Sequence, residues 1–159
     1  MKILVTGMSG TGKSSVLQEL ACRGHRTVDT DTDGWCEWIT DERGEPDWVW
    51  REGKIRELLA GHVDGALYVA GCKSNQGQFY PQFDAVVLLS APAAVLLERL
   101  AARTNNTYGK SAQERALVLE HLATVEPLLR ATATAEVDAT QPLSVVADEL
   151  ERVGRSGGS

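Results

Sequence analysis

One stretch near the amino terminus constrains the fold more than any other: GMSGTGKSS, residues 7–15, directly after the apolar run KILVT, residues 2–6. It fits the pattern G-x-x-x-x-G-K-[ST] between a strand and a helix, in which glycines let the backbone approach an anion without a Cβ in the way. Successive N–H groups then point inward, and the unpaired amides at the start of the helix join them. The sequence therefore predicts a loop that binds nucleotide phosphates through Gly7, Gly10, Thr11, Gly12, Lys13, Ser14 and Ser15.

Two side chains of this loop carry specific chemistry. Lys13 supplies a mobile positive charge for the β- and γ-phosphates, which makes it a candidate catalytic residue, and Ser14 offers a hydroxyl to Mg²⁺. The spacing differs from the G-x-G-x-x-G pattern of dinucleotide-binding proteins, which argues against an oxidoreductase of that class.

Composition narrows the range of partners. The 159 residues include 16 basic and 22 acidic side chains, for a net charge of −6, which argues against general binding to nucleic acids or membrane surfaces. The sequence has no run of about 18 apolar residues and no signal peptide. The three cysteines, at no metal-like spacing, predict buried and reduced thiols, so we expect a cytoplasmic protein.

Strand patterns alternate with helix patterns about five times along the chain, which is typical of an α/β domain around a parallel sheet. We expect one domain over residues 1–154, with a mostly parallel five-stranded sheet flanked by helices, and a flexible tail over 155–159. Residues 72–83 are expected to form a loop. The predicted strands lie in residues 2–6, 25–31, 65–71, 84–90 and 135–140.

Several large classes of nucleotide-binding proteins are excluded by absent motifs. A guanine-reading NKxD is absent, which argues against a GTPase, although DTDG at 31–34 fits a short D-x-x-G pattern. No LSGGQ is present, and no long apolar strand ends in Asp-Glu, which argues against transport and motor ATPases.

A pair of carboxylates follows the second predicted strand. Asp29 and Asp31 point to the same side because side chains alternate along a strand, and the carboxyl ends of parallel strands face the ligand crevice. Phosphoryl transfer needs a metal holder and, for a hydroxyl acceptor, a group that orients or deprotonates the hydroxyl. The alternative is a solvated acidic turn, since DTDTDG also favours turns.

The ordered set of motifs resembles the small P-loop kinases, the group of nucleoside-monophosphate kinases and shikimate and gluconate kinases. The resemblance covers nearly the whole chain and is carried by GMSGTGKSS, VDTD, YVAG, LLERLAAR and VDATQPLSVVADEL. It implies ATP as phosphoryl donor, Mg²⁺ as metal and a small molecule as acceptor.

The resemblance also implies residue roles. Asp29 would act at Mg²⁺ together with Ser14, and Asp31 would act on the acceptor as a catalytic and substrate-binding residue. Arg103 would contact ATP and neutralise charge on the transferring phosphoryl group, from a lid near residues 104–111. Arg99 is expected to pair with Glu98 or Glu114 instead.

The acceptor-binding insertion of these kinases follows the second strand, and here it corresponds to a flap over residues 34–60. All four tryptophans lie between residues 35 and 50, where they form either an acceptor site or a small satellite core. Further candidate acceptor contacts are Trp35, Arg56 and Gly71, and we expect Lys73 or Asn75 to face the crevice.

Three functions fit these residues. The first is an ATP- and Mg²⁺-dependent kinase that phosphorylates a hydroxyl of a small acceptor. The second is a nucleoside-monophosphate kinase, whose acceptor phosphate needs arginines and no base. The third is a non-catalytic ATP-binding regulator with a protein partner.

Overall fold

The computed structural model describes residues 1–8, 10–32, 34–102 and 112–156. Strands and helices alternate along these residues as the sequence predicts, except that three strands follow one another within residues 26–50. The elements are β1 (Lys2–Thr6), α1 (Lys13–Cys22), β2 (Arg26–Asp29), β3 (Cys36–Thr40), β4 (Pro46–Trp50), α2 (Glu52–Gly61), β5 (Leu67–Ala70), a 3₁₀ helix (Gln76–Gln82), β6 (Ala85–Ser90), α3 (Ala93–Ala102), α4 (Ala112–Thr124), α5 (Glu126–Thr132), β7 (Ala135–Asp138) and α6 (Leu143–Ser156).

Five strands form one sheet in the order β2-β5-β1-β6-β7, and every neighbouring pair is parallel. This confirms the predicted single α/β domain with a five-stranded sheet. Val5 of β1 and Asp29 of β2 both pair with Ala70 of β5, so these three strands end at nearly the same level. The loops that follow β1, β2 and β5 therefore meet at one edge of the sheet.

The sheet is buried on both faces because helices cover each side. Ile3 and Val5 of β1 belong to the cluster that includes residues of α1 and α6. Leu4 points the other way and packs in a second cluster with Trp50 and with Ile55 of α2. Such two-sided burial explains why β1 and β6 are continuous apolar runs rather than alternating ones.

Helix α1 is closed by a glycine at its carboxyl end. Gly24 follows the helix with a φ of 91°, a conformation that glycine adopts without a steric penalty. Its N–H donates to the carbonyl of Ala21, and the N–H of His25 donates to that of Leu20, so the last turn is closed by backbone bonds.

The tryptophan segment contains an element that the sequence did not assign. β3 and β4 pair as an antiparallel hairpin apart from the main sheet, with Trp38 opposite Trp48. The turn between the strands contains Gly44 at a φ of 81°, a backbone conformation that favours glycine. Helix α2 follows β4 directly, so the hairpin and this helix together account for most of the predicted flap.

Three further features differ from or extend the sequence predictions. Residues 72–83 are not all loop, because they contain the 3₁₀ helix. α6 continues to Ser156 and so includes the first residues of the expected tail. All three cysteine thiols are free, but only Cys36 is buried, whereas Cys22 is exposed and Cys72 half-buried.

None of the helices built from the described residues is long and apolar enough to cross a membrane.

Candidate functional site

The loop between β1 and α1 adopts a conformation that only glycine permits at several positions. Gly10 and Gly12 have φ values of 91° and 89°, in the left-handed region. A Cβ on Gly7 would lie 2.5 Å from the carbonyl oxygen of Leu89, and a Cβ on Gly10 would lie 3.1 Å from that of Leu96. The loop is therefore packed tightly against the end of β6 and against α3, which holds its backbone in place.

The start of α1 offers unpaired backbone donors. Gly12 stands at the N-cap without a side-chain hydrogen bond, and the first turn contains no acidic residue. The amides of Lys13, Ser14 and Ser15 belong to the first turn, where a helix has no internal acceptors. Unpaired amides and the positive end of the helix dipole together favour an anion at this point.

Lys13 points its ammonium back over the loop. Its Nζ donates to the carbonyl oxygens of Gly7 at 2.7 Å and Met8 at 3.1 Å. The side chain as a whole is half-buried, but enclosure of the ammonium end lowers the pKa of Lys13, an effect that nearby Cys72 and Asp31 partly oppose. A positive charge removed from water in this way gains from an anion placed beside it.

Ser14 and Asp29 lie together, as the proposed metal site requires. The Ser14 hydroxyl donates to Asp29 Oδ2 at 2.6 Å, and the backbone N–H of Asp31 donates to Asp29 Oδ1 at 3.0 Å. A hydroxyl and a carboxylate are hard oxygen ligands of the kind that Mg²⁺ takes. The described residues contain no cluster of three or more His, Cys, Asp or Glu that would enclose a metal by itself.

Asp31 has a cationic partner in the loop that follows the neighbouring strand, β5. Lys73 follows β5 and places its Nζ 3.1 Å from Asp31 Oδ1. The Lys73 side chain is 17% exposed and that of Asp31 is 53% exposed, so the carboxylate retains access to solvent while one oxygen is held. Of the two residues expected to face the crevice, Lys73 is therefore the one that contacts Asp31.

Asn75 instead supports the hairpin. Its side-chain amide donates to the carbonyl of Trp50, and its Oδ1 accepts from the Trp50 N–H. These two bonds attach the loop after β5 to the last residue of β4.

Gly71 follows β5 and packs against two other segments, the turn after β2 and the end of β4. A Cβ at this position would lie 2.4 Å from Thr30 Oγ1 and 3.0 Å from the indole ring of Trp50. Trp50 is fully buried, and its Nε1 donates to Thr30 Oγ1 at 2.9 Å. The structure thus gives Gly71 a packing role, and its contact with an acceptor stays a prediction.

The four tryptophans divide into three environments. Trp50 belongs to the core, and Trp35 is half-buried with the ammonium of Lys54 5.0 Å from its ring centre. Trp38 and Trp48 are exposed, at 68% and 41%, and their rings lie 5.1 Å apart. The two interpretations of the segment, core and ligand surface, therefore apply to different rings.

The structure does not bring Arg56 into this group. Arg56 lies on α2 with its side chain 59% exposed and pairs with Glu52 at 3.6 Å. Arg103 and the predicted lid at 104–111 lie outside the described residues, so their roles remain predictions.

Arg99 is a residue whose position the sequence did not reveal. Its guanidinium donates to the carbonyls of Gly10, Thr11 and Ala139, with distances of 3.3, 3.4 and 2.6 Å. It therefore ties the phosphate-binding loop to the segment after β7, rather than forming the expected pair with Glu98 or Glu114. The only sequence signal was an arginine on the helix that leads to the predicted lid.

We compared the chain with known protein families and with curated protein sequences. The chain matches the AAA domain family over residues 3–120, well over half of its length. No curated protein sequence matches the chain.

Solved kinase structures share the fold. A shikimate kinase from Acinetobacter baumannii in complex with shikimate is 21% identical, with a TM-score of 0.67, and the match covers 98% of this chain and 93% of that one. A gluconokinase from Sinorhizobium meliloti 1021 is 22% identical, with a TM-score of 0.57 and coverages of 98% and 94%. A shikimate kinase from Bacteroides thetaiotaomicron is 17% identical, with a TM-score of 0.67 and coverages of 96% and 97%. The chain therefore belongs to the AAA domain family of P-loop proteins and has the fold of the small P-loop kinases.

Proposed function

We propose that this chain is an ATP- and Mg²⁺-dependent kinase that transfers the γ-phosphoryl group to a hydroxyl of a small acceptor. The observation that carries the proposal is that a pair of neighbouring carboxylates adjoins the glycine-rich loop: Asp29 accepts a hydrogen bond from Ser14 of the loop, and Asp31, two residues later, pairs with Lys73. A phosphate loop alone would serve any nucleotide-binding protein. The second carboxylate, half-exposed and held at one oxygen, gives a reason to expect chemistry on a hydroxyl.

ATP would bind through the loop backbone, with Gly7, Gly10, Thr11, Gly12 and Ser15 around its phosphates and Lys13 supplying charge. Ser14 and Asp29 would hold Mg²⁺, whose remaining positions are typically filled by phosphate oxygens and water. When bound, the metal neutralises charge on the phosphates. The close approach of the Ser14 and Asp29 oxygens fits such a two-ligand site.

Asp31 would accept the proton of the acceptor hydroxyl. The acceptor oxygen then bonds to the γ-phosphorus, the bond from that phosphorus to the β,γ-bridging oxygen breaks, and ADP leaves with the electron pair. Lys73 donates to Oδ1 and would thereby direct Oδ2 of Asp31 toward the hydroxyl. By resemblance, Arg103 would balance charge on the transferring group, with residues 34–60 as acceptor flap and 104–111 as lid.

The structural relatives support a hydroxyl acceptor. One is a shikimate kinase bound to shikimate and another is a gluconokinase, and both names refer to acceptors that carry hydroxyl groups. Arg56, the predicted acceptor contact with a positive charge, is exposed and paired with Glu52. The nucleoside-monophosphate alternative, whose acceptor phosphate needs arginines, therefore has less support.

The test is ADP release from ATP and Mg²⁺ with a panel of sugars, sugar acids, cyclic alcohols and nucleoside monophosphates. We expect turnover with a hydroxyl compound, loss of that turnover in Asp31→Asn and unchanged ATP affinity in the same variant. Asp64→Asn is a matched control, because Asp64 is exposed in the loop before β5 at the opposite edge of the sheet.

Other outcomes would favour the alternatives. Turnover confined to nucleoside monophosphates, with the acceptor KM raised by Arg56→Ala, would favour the nucleotide kinase. ATP binding without turnover on any acceptor, with a protein partner retained, would favour the regulator.

A further inference from the structure

The hairpin of β3 and β4 has two chemically different faces. Alternation along paired strands places Glu37, Ile39, Asp47 and Val49 on one face. The other, which we call the aromatic face, contains only uncharged residues: Cys36, Trp38, Thr40, Pro46, Trp48 and Trp50. On the first face Val49 is buried and Asp47 accepts a hydrogen bond from Ser74, so that face packs partly against the fold. The outer residues of the aromatic face are exposed instead.

The inner end of the aromatic face touches the candidate site. The Cys36 thiol donates to the carbonyl oxygen of Thr30, and Trp50 Nε1 donates to the Thr30 hydroxyl. Thr30 lies between Asp29 and Asp31, so this end of the hairpin is attached to the backbone that carries both carboxylates.

The outer end of the same face is exposed. Trp38 and Trp48 form the next cross-strand pair on that face, about 7 Å further along the hairpin. Their rings are tilted by 52° at a centroid distance of 5.1 Å, which makes an open aromatic corner rather than a closed stack. A small ring-bearing alcohol can span this separation from the inner pair, which contacts Thr30.

We propose that Trp38 and Trp48 bind a planar ring of the phosphoryl acceptor, so that the acceptor is an alcohol bearing an aromatic or unsaturated ring. This inference rests on the proposed kinase function. A planar ring gains stacking and apolar contact from indole faces, whereas an acyclic polyol needs hydrogen-bonding groups that such faces do not provide. The cross-strand contact of the two rings stabilises the hairpin, but it leaves 68% of Trp38 and 41% of Trp48 exposed and open to a ligand.

The charge of the hairpin argues against a polyanionic occupant. Residues 36–50 contain one basic side chain, Arg43, and five acidic ones: Glu37, Asp41, Glu42, Glu45 and Asp47. Nucleic acids and anionic membrane surfaces require the opposite sign of charge. A small ring compound lying on the uncharged face is compatible with this distribution.

The test compares planar-ring alcohols with other alcohols. Nucleosides and benzylic alcohols serve as ring probes, and glycerol, gluconate and inositol serve as probes without a planar ring. Each is assayed as acceptor with ATP and Mg²⁺, and its binding in the presence of ADP and Mg²⁺ is followed by tryptophan fluorescence. The variants are Trp38→Ala, Trp48→Ala and Trp38→Phe, and Ile39→Ala is the matched control, since Ile39 is 42% exposed on the opposite face of the same strand.

We expect saturable binding of at least one ring probe. Trp38→Ala and Trp48→Ala should each raise its KM or Kd by roughly tenfold or more, as expected for the loss of one stacking partner. kcat should change little because the ring does not react. Trp38→Phe should retain most of the affinity, and Ile39→Ala should behave as the parent protein.

Three results would overturn the inference. The first is turnover of acceptors without a planar ring, with a KM that is unchanged in both tryptophan variants. The second is no saturable binding of any ring probe at millimolar concentration, and the third is tryptophan variants that change the oligomeric state and nothing else. Failure of the proposed function looks different. In that case ring probes bind in a tryptophan-dependent manner, but no acceptor yields ADP.

Discussion

Ser14 Oγ donates a 2.6 Å hydrogen bond to Asp29 Oδ2, and the two residues come from different segments, the first turn of α1 and the last position of β2. The contact joins the phosphate-binding loop to the carboxylate pair. Because β1 and β2 both pair with β5, the sheet sets the distance between these segments before any ligand binds.

Asp29→Asn should weaken ATP binding in the presence of Mg²⁺ by roughly 10- to 100-fold, the range that follows loss of a partner in a metal site. Without Mg²⁺ the variant and the parent should bind ATP equally, because the loop backbone is unchanged. Titration calorimetry with and without Mg²⁺ measures both. An equal loss under the two conditions would show that Asp29 supports the loop and not the metal.

Gly71→Ala should lower the free energy of unfolding by about 1–3 kcal/mol, since the added Cβ would lie 2.4 Å from Thr30 Oγ1 and against Trp50. Urea unfolding followed by tryptophan fluorescence gives the value. Gly53→Ala is the control, because no heavy atom lies within 4 Å of its Cβ position and alanine favours helices. Equal stability of the two variants would contradict the packing role of Gly71.

Arg99→Met should lower the free energy of unfolding by about 1–3 kcal/mol, because three carbonyls lose a charged donor. The variant should also bind ATP more weakly, since Gly10 and Thr11 lose their support. Arg152→Met is the control, as its side chain is 67% exposed and pairs only locally with Glu149. Unchanged ATP affinity in Arg99→Met would mean that the loop keeps its shape without this arginine.

Stability should fall in acid partly through Glu151. Hydrogen bonds from His25 and Arg23 lower the pKa of this carboxyl from 4.5 in the folded chain. A lowered folded-state pKa means that Glu151 stabilises the fold above its unfolded pKa, and that this stabilisation is lost as the pH falls through the folded pKa.

Glu151→Gln should therefore be less stable than the parent at neutral pH, and the gap should narrow below pH 4.5. Urea unfolding across the acid range measures the difference. A constant gap at every pH would show that the carboxylate charge contributes nothing.

Much of the candidate site could be predicted because its signals are local. Glycines at set spacing prescribe the loop conformation. The acidic run places Asp29 at the carboxyl end of β2, but the strand ends there, so Asp31 lies in the following turn and not in the strand that the sequence predicted. The continuous apolar runs of β1 and β6 indicate strands buried on both faces, which the structure confirms.

Contacts between distant segments could not be predicted in the same way. Lys73 and Asp31 are 42 positions apart, and Arg99 is 88 or more from the loop carbonyls that it contacts. No periodic pattern encodes such contacts, because they depend on how loops and helix ends pack once the sheet has formed.

The sequence by itself determined the conformation of the glycine-rich loop, the order along the chain of the five sheet strands, and the position of Asp29 at the end of β2, since each depends on backbone conformation or on an apolar run of a few residues. Only the tertiary structure decided that Trp50 is core while Trp38 and Trp48 stay exposed, that Lys73 holds Asp31, and that Arg99 braces the loop. Those outcomes depend on burial and on charge contacts across the fold, which neighbouring residues do not specify.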